Sequence, residues 1–108
     1  MARKRTYRTI DQIDEEYYRN HPEEIDSYLA TVFEEYAKDE CTPALLSSLR
    51  MIARVKGVSA LADESGITRN GIQKALSEQA KPGFETINTI VKAMGYGITL
   101  QKLDIHTG

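Results

Sequence analysis

Stretches of helical apolar spacing, opened by proline or a small hydroxyl residue and closed by glycine, leave this chain few choices beyond a packing of short helices. Pro22 stands where a missing N–H costs nothing, with Asn20 or His21 available as cap. Glu23 and Glu24 follow where the helix dipole favours negative charge. Ile25, Tyr28, Leu29, Val32, Phe33 and Tyr36 then form one apolar stripe that should end near Lys38. Thr42-Pro43 repeats the start signal; Leu45, Leu46, Leu49, Ile52 and Ala53 give the next stripe, and Gly57 stops it. Ser59 is expected to cap a short third helix that ends at Gly66, and Thr68 a fourth that runs to about Ser77. After a polar loop over residues 78–83, Phe84, Ile87, Ile90, Val91 and Met94 mark a fifth helix closed by Gly95. Ile10, Ile13 and Tyr17 hint at a short helix before all of these.

The period then changes. Tyr96, Ile98 and Leu100 alternate with Gly97, Thr99 and Gln101, so a short strand is expected over residues 96–103. A lone strand in a helical chain would need a second copy or a partner protein to pair with. With 108 residues the chain builds one domain around one core. Its expected divisions are a basic, mobile arm at 1–20, a helical domain at 21–103 and a tail at 104–108.

Charge is segregated along the chain. The net charge is only −2, yet residues 1–10 carry four bases, residues 11–40 carry eleven acids against Arg19 and Lys38, and residues 41–108 carry eight bases against five acids. Two signs on one surface suit two partners, one polyanionic and one basic; the plainer reading is that the acids solvate a helix face. No apolar run approaches a membrane span, and no apolar stretch follows Arg3-Lys4-Arg5, so neither membrane nor secretory signal is expected. Cys41 stands alone and forms no internal disulfide, which fits the cytoplasm.

The stretch from Val58 to Leu76 carries the functional signal. Two short helices should meet at Gly66, which takes a left-handed conformation without strain, while Leu61, Ile67, Ile72 and Leu76 make the contact between them. The second helix then turns Arg69, Asn70, Gln73 and Lys74 outward, the side-chain types that pair with guanine and adenine edges. This is the pattern of a helix-turn-helix at 58–77. Ser59 and Thr68 at helix starts, with Lys81, are candidates for phosphate contact. Gly71 is out of place inside a helix; its bareness would let the helix approach a duplex, or it is neutral. A plain bundle with a polar surface helix is the alternative.

Catalysis finds little support. His21 and His106 lie in no metal-ligand pattern, Cys41 has no neighbouring histidine, and Glu15-Glu16 and Glu34-Glu35 read as solvated faces. No enzyme activity, cofactor or metal is expected.

From Pro22 to Leu103 the chain resembles the addiction module antidote family, small antitoxins with a Cro/Xre-type helix-turn-helix. The likeness is carried by Pro22-Glu23 with Tyr28-Leu29, by Lys56-Gly57-Val58-Ser59, by Gly66-Ile67-Thr68-Arg69 and Lys74-Ala75-Leu76, by Pro82-Gly83-Phe84-Glu85-Thr86 and by Lys92-Ala93-Met94-Gly95. The resemblance implies an all-α, five-helix, phage-repressor-like domain with the short C-terminal strand. It also implies a RelE/ParE-like toxin partner and repression of the shared operon at a double-stranded DNA operator by a dimer or a toxin-bound complex; because two copies read two half-sites, a homodimer is expected, with the strand over residues 96–103 as its candidate contact. The alternative is a free-standing phage-type or metabolic repressor without a toxin. The basic start, with Tyr7, Tyr17 and Tyr18, and the tail over 104–108 depart from the family pattern.

Overall fold

The computed structural model describes residues 14–103. Most of the basic arm, with Tyr7, Ile10 and Ile13, and the tail with His106 lie outside the described residues. Residues 14–20 are helical and are called α1. A 3-10 turn, Pro22–Glu24, leads into α2 (Ile25–Asp39), followed by α3 (Thr42–Lys56), α4 (Val58–Ser65), α5 (Arg69–Ala75) and α6 (Phe84–Ala93).

The all-α expectation holds, and the five-helix count does not. α1 precedes the five, and the turn at Pro22 is tighter than an α-helix: Glu24, at ψ 0, closes it before α2 begins. α4 starts at Val58 with Gly57 at its N-cap, so Ser59 lies inside the first turn and not at the cap.

The strand expected over residues 96–103 is not formed, and no strand occurs among the described residues. The alternation there matches one-sided burial only as far as Ile98. Tyr96 and Ile98 rest half-buried on the core while Leu100 is fully exposed and Leu103 is 57% exposed. Period two states which side chains turn inward; a strand further requires a neighbouring backbone to close the ladder.

The core is a single cluster. Leu46, Leu49, Met51 and Ile52 of α3 are fully buried, and Ile25, Ile72, Leu76 and Ile90 close around them from the other helices. α2 packs on α3; α4 packs on α3, α5 and α6. A hydroxyphenyl bridge ties the ends of the domain: the Tyr96 hydroxyl donates to Asp26 at 2.5 Å, and the Lys56 ammonium lies 5.5 Å from the Tyr96 ring centre. Burial, then the hydrogen bond to the Asp26 carboxylate and its charge, push the Tyr96 hydroxyl up to about 12.

α1 is fastened by charge. Glu15 accepts from Arg54 of α3 at 2.7 Å and from Arg19 at 2.9 Å. Burial alone would raise the Glu15 carboxyl, but hydrogen bonds and charge from Arg54 and Arg19 outweigh it and hold the group below its ordinary 4.5. Tyr17 stacks on His21 and meets Tyr18 edge-on, and Tyr18 in turn packs on Tyr28 of α2. Among the described residues, no helix is long and apolar enough to cross a membrane.

Candidate functional site

α4 and α5 are joined by the three residues Gly66, Ile67 and Thr68. Gly66 has φ 78 and ψ 3, the left-handed conformation that the bend requires and that a Cβ would strain. Its N–H donates to the Ala62 carbonyl and ends α4. The Ser65 hydroxyl accepts from the Ile67 N–H at 3.1 Å, and Thr68 turns extended, φ −65 and ψ 157, so that its Oγ1 accepts from the Gly71 N–H at 2.9 Å. That bond caps α5. Leu61, Ile72 and Leu76 are buried between the helices with Ile67 half-buried beside them, the contact expected from the sequence.

Packing accounts for Gly71. A Cβ built there would lie 2.8 Å from Ile67 Cγ2 and 3.1 Å from Thr68 Oγ1. The missing side chain is the space in which the turn and its cap close.

Arg69, Asn70, Gln73 and Lys74 are all exposed on α5. Their spacing places them on one contiguous face, opposite buried Ile72. Among the described residues neither Arg69 nor Lys74 joins a salt bridge. Two donors that grip carboxylates or phosphates and two amides that both donate and accept thus share a small convex surface. Ser59 is exposed in the first turn of α4. Thr68 is exposed with its oxygen already used as cap acceptor, which leaves its O–H to donate. Lys81 is exposed in the loop over 78–83, where it lines a hollow together with Pro82 and Phe84.

Two residues have roles that periodicity did not reveal. Arg50, half-buried on α3, donates to the Leu76 carbonyl at the end of α5 and fixes where that helix stops. Its one trace in the sequence is a base inside an apolar stripe. Phe84, expected on the core face of α6, is instead 71% exposed. It is the first residue of its helix, where the stripe has not yet turned into the core.

Among the described residues no group of three or more His, Cys, Asp or Glu is placed to hold a metal ion, and Cys41 is an exposed free thiol.

Residues 9–102 match the profile of a family described as "Probable addiction module antidote protein". An uncharacterized protein of Haemophilus influenzae is 35% identical over 80 residues, which span 74% of this chain and 78% of that protein. No solved structure matches the chain significantly.

Proposed function

This chain belongs to the family of addiction module antidote proteins, and from that premise we propose that it neutralises a RelE/ParE-like toxin and represses its own operon through a helix-turn-helix. The family implies a toxin partner; the kind of toxin, the DNA contact and the homodimer are our reading. A non-enzymatic role in the cytoplasm goes with it.

One observation carries the DNA-binding reading: after the Gly66 bend, Arg69, Asn70, Gln73 and Lys74 stand exposed together on a helix whose start and end are both pinned. Such a helix enters the major groove without reorganising, and arginine or lysine on guanine and amides on adenine supply the discrimination. Ser59, Thr68 and Lys81 would hold phosphates, which fix register and carry no sequence information. The neutralising contact falls to the acidic segment, where Glu34, Glu35, Asp39 and Glu40 are exposed along and after α2 and complement a basic, RNA-facing toxin surface.

The test uses a fragment of the chain's own promoter. Replacing Arg69 or Asn70 by Ala should cost about 1–3 kcal/mol at the cognate site. An unchanged binding curve for R69A/N70A removes the groove-reading role. Co-expression with the neighbouring gene product tests the other half: without a complex and without rescue of growth, the chain is a repressor that has no toxin.

A further inference from the structure

We propose that Arg50 is a positioning residue for base reading: through the Leu76 carbonyl it sets the angle at which α5 presents Gln73 and Lys74. The inference rests on the reading of α5 as a duplex reader and adds to it a residue of another helix. α5 has only seven residues, Arg69–Ala75. A helix that short does not hold its own geometry in water and takes it from what it packs on.

The two ends of α5 are held differently. At the start, the Gly66 bend and the Thr68 cap fix the first turn from residues next to it in sequence. Buried Ile72 and Leu76 then decide which face turns inward. Apolar burial has no direction, so these two side chains leave the helix able to pivot on the core. At the far end the Leu76 N–H donates to the Ile72 carbonyl, and the Ser77 N–H and hydroxyl donate to the Lys74 carbonyl, all within one stretch of chain. Arg50 is the directional tie from elsewhere: half-buried on α3, 26 positions earlier, it donates to the Leu76 carbonyl. Its positive charge also suits the C-terminal end of a helix.

The end that Arg50 holds is the end where a pivot displaces most. With α5 fixed at Thr68, Gln73 and Lys74 lie about 7.5 and 9 Å along the axis at 1.5 Å per residue. A pivot of about 10° would carry them through roughly 1.3–1.6 Å, beyond the roughly 0.5 Å within which a preorganised contact must be held. Arg69 and Asn70, next to the cap, would move by no more than about 0.5 Å. Loss of Arg50 is therefore felt at Gln73 and Lys74 before it is felt at Arg69.

The full chain is tested on a fragment of its own promoter and on a scrambled duplex, over a range of salt. R50M keeps an unbranched stem and removes the guanidinium; R50K keeps a donor and the charge. R50M should bind the promoter about 10-fold more weakly, the loss of one amide–adenine pair, and bind the scrambled duplex as wild type does. The salt slope should not change, and R50K should recover part of the loss. In double-mutant cycles R50M should couple to Q73A and add simply to R69A. Without DNA, the Leu76 and Ser77 amides of R50M should exchange faster while those of α2 keep the wild-type rate. A loss shared equally by promoter and scrambled DNA overturns the proposal, because R50M then only unfolds. A lower salt slope overturns it too, because Arg50 then touches a phosphate itself. The two readings fail distinguishably. A wild-type chain with no preference for its promoter sinks the duplex reading and this proposal with it; a wild-type preference that R50M retains sinks this proposal alone.

Discussion

Alanine at position 71 reverses the usual rule for glycine in a helix. In an open helix, Gly→Ala stabilises by at most about 1 kcal/mol. Here the added Cβ falls 2.8 Å from Ile67 Cγ2, closer than carbon atoms approach without displacement, and 3.1 Å from Thr68 Oγ1. Ile67 Cγ2 sits on a branched carbon packed against the core, so it moves only with the bend itself. Relief by displacing Ile67 costs about 1–3 kcal/mol of overpacking strain. Relief by displacing Thr68 costs the cap, about 1 kcal/mol. After the propensity gain, G71A should be destabilised by roughly 1 kcal/mol, a fall in Tm of about 4–8 °C for a domain of this size. Thermal and urea unfolding followed by circular dichroism measure it. T68A, which removes Oγ1, should cost about 1 kcal/mol alone. It should also make G71A less harmful in its background, because the two substitutions disturb one contact. An equal or higher Tm for G71A, with no coupling to Thr68, would show that the bend tolerates a side chain and that the packing account is wrong.

Three further outcomes follow from the ties between elements. Glu15 has its carboxyl held below 4.5, so its contribution is complete above that value and fades as the pH falls through the lower folded value; with both arginine partners substantially exposed it is worth about 1 kcal/mol at most. Melts from pH 6 to 3 should therefore converge for wild type and E15Q, and curves that stay parallel would refute the tie. Tyr96 shows the opposite sign: its protonated hydroxyl donates to Asp26, so the bond is intact below about 10 and is lost as the pH rises towards about 12. Y96F should cost about 1 kcal/mol at neutral pH and should free residues 96–103 to faster hydrogen exchange, and unchanged exchange would count against the bridge. E34Q/E35Q, two exposed changes on α2, should weaken a toxin complex while moving operator affinity by no more than about two-fold; an equal loss at the operator would mean that the two surfaces are not separate.

Proline, glycine and apolar spacing made the helices legible because each acts within a few residues. Pro22, Pro43, Gly57, Gly66 and Gly95 punctuate the chain close to the helix ends, and the stripes of α2 and α3 predict their buried faces. The Gly66 bend and the outward set on α5 follow from the same local rules. What escaped depends on residues distant in sequence. Tyr96 and Asp26 are 70 positions apart, Glu15 and Arg54 39, and Arg50 reaches a backbone carbonyl 26 positions on, which no side-chain pattern can announce. The strand failed for a related reason: alternation is local, whereas a ladder is a property of two segments. Gly71 looked unfavourable by propensity because propensity omits the neighbours that a side chain would strike.

The segregation of charge takes on physical meaning once the packing order is known. A net charge of −2 would argue against a polyanion if the whole chain faced it as one average. Charges farther apart than about 8 Å are largely screened at physiological ionic strength, so a duplex responds to the surface within about one helix diameter of it. α2 packs chiefly on α3, and α5 on α4 and α6, so the acidic helix does not pack closely on the helix that carries Arg69, Asn70, Gln73 and Lys74. On the proposed function, the acids of α2 would then do little to repel DNA from α5, and the acids nearest to it would be exposed Asp63 and Glu64 of α4, which packs on α5. On the same proposal, such a partition would let one small domain hold a toxin and an operator together without either binding event neutralising the other.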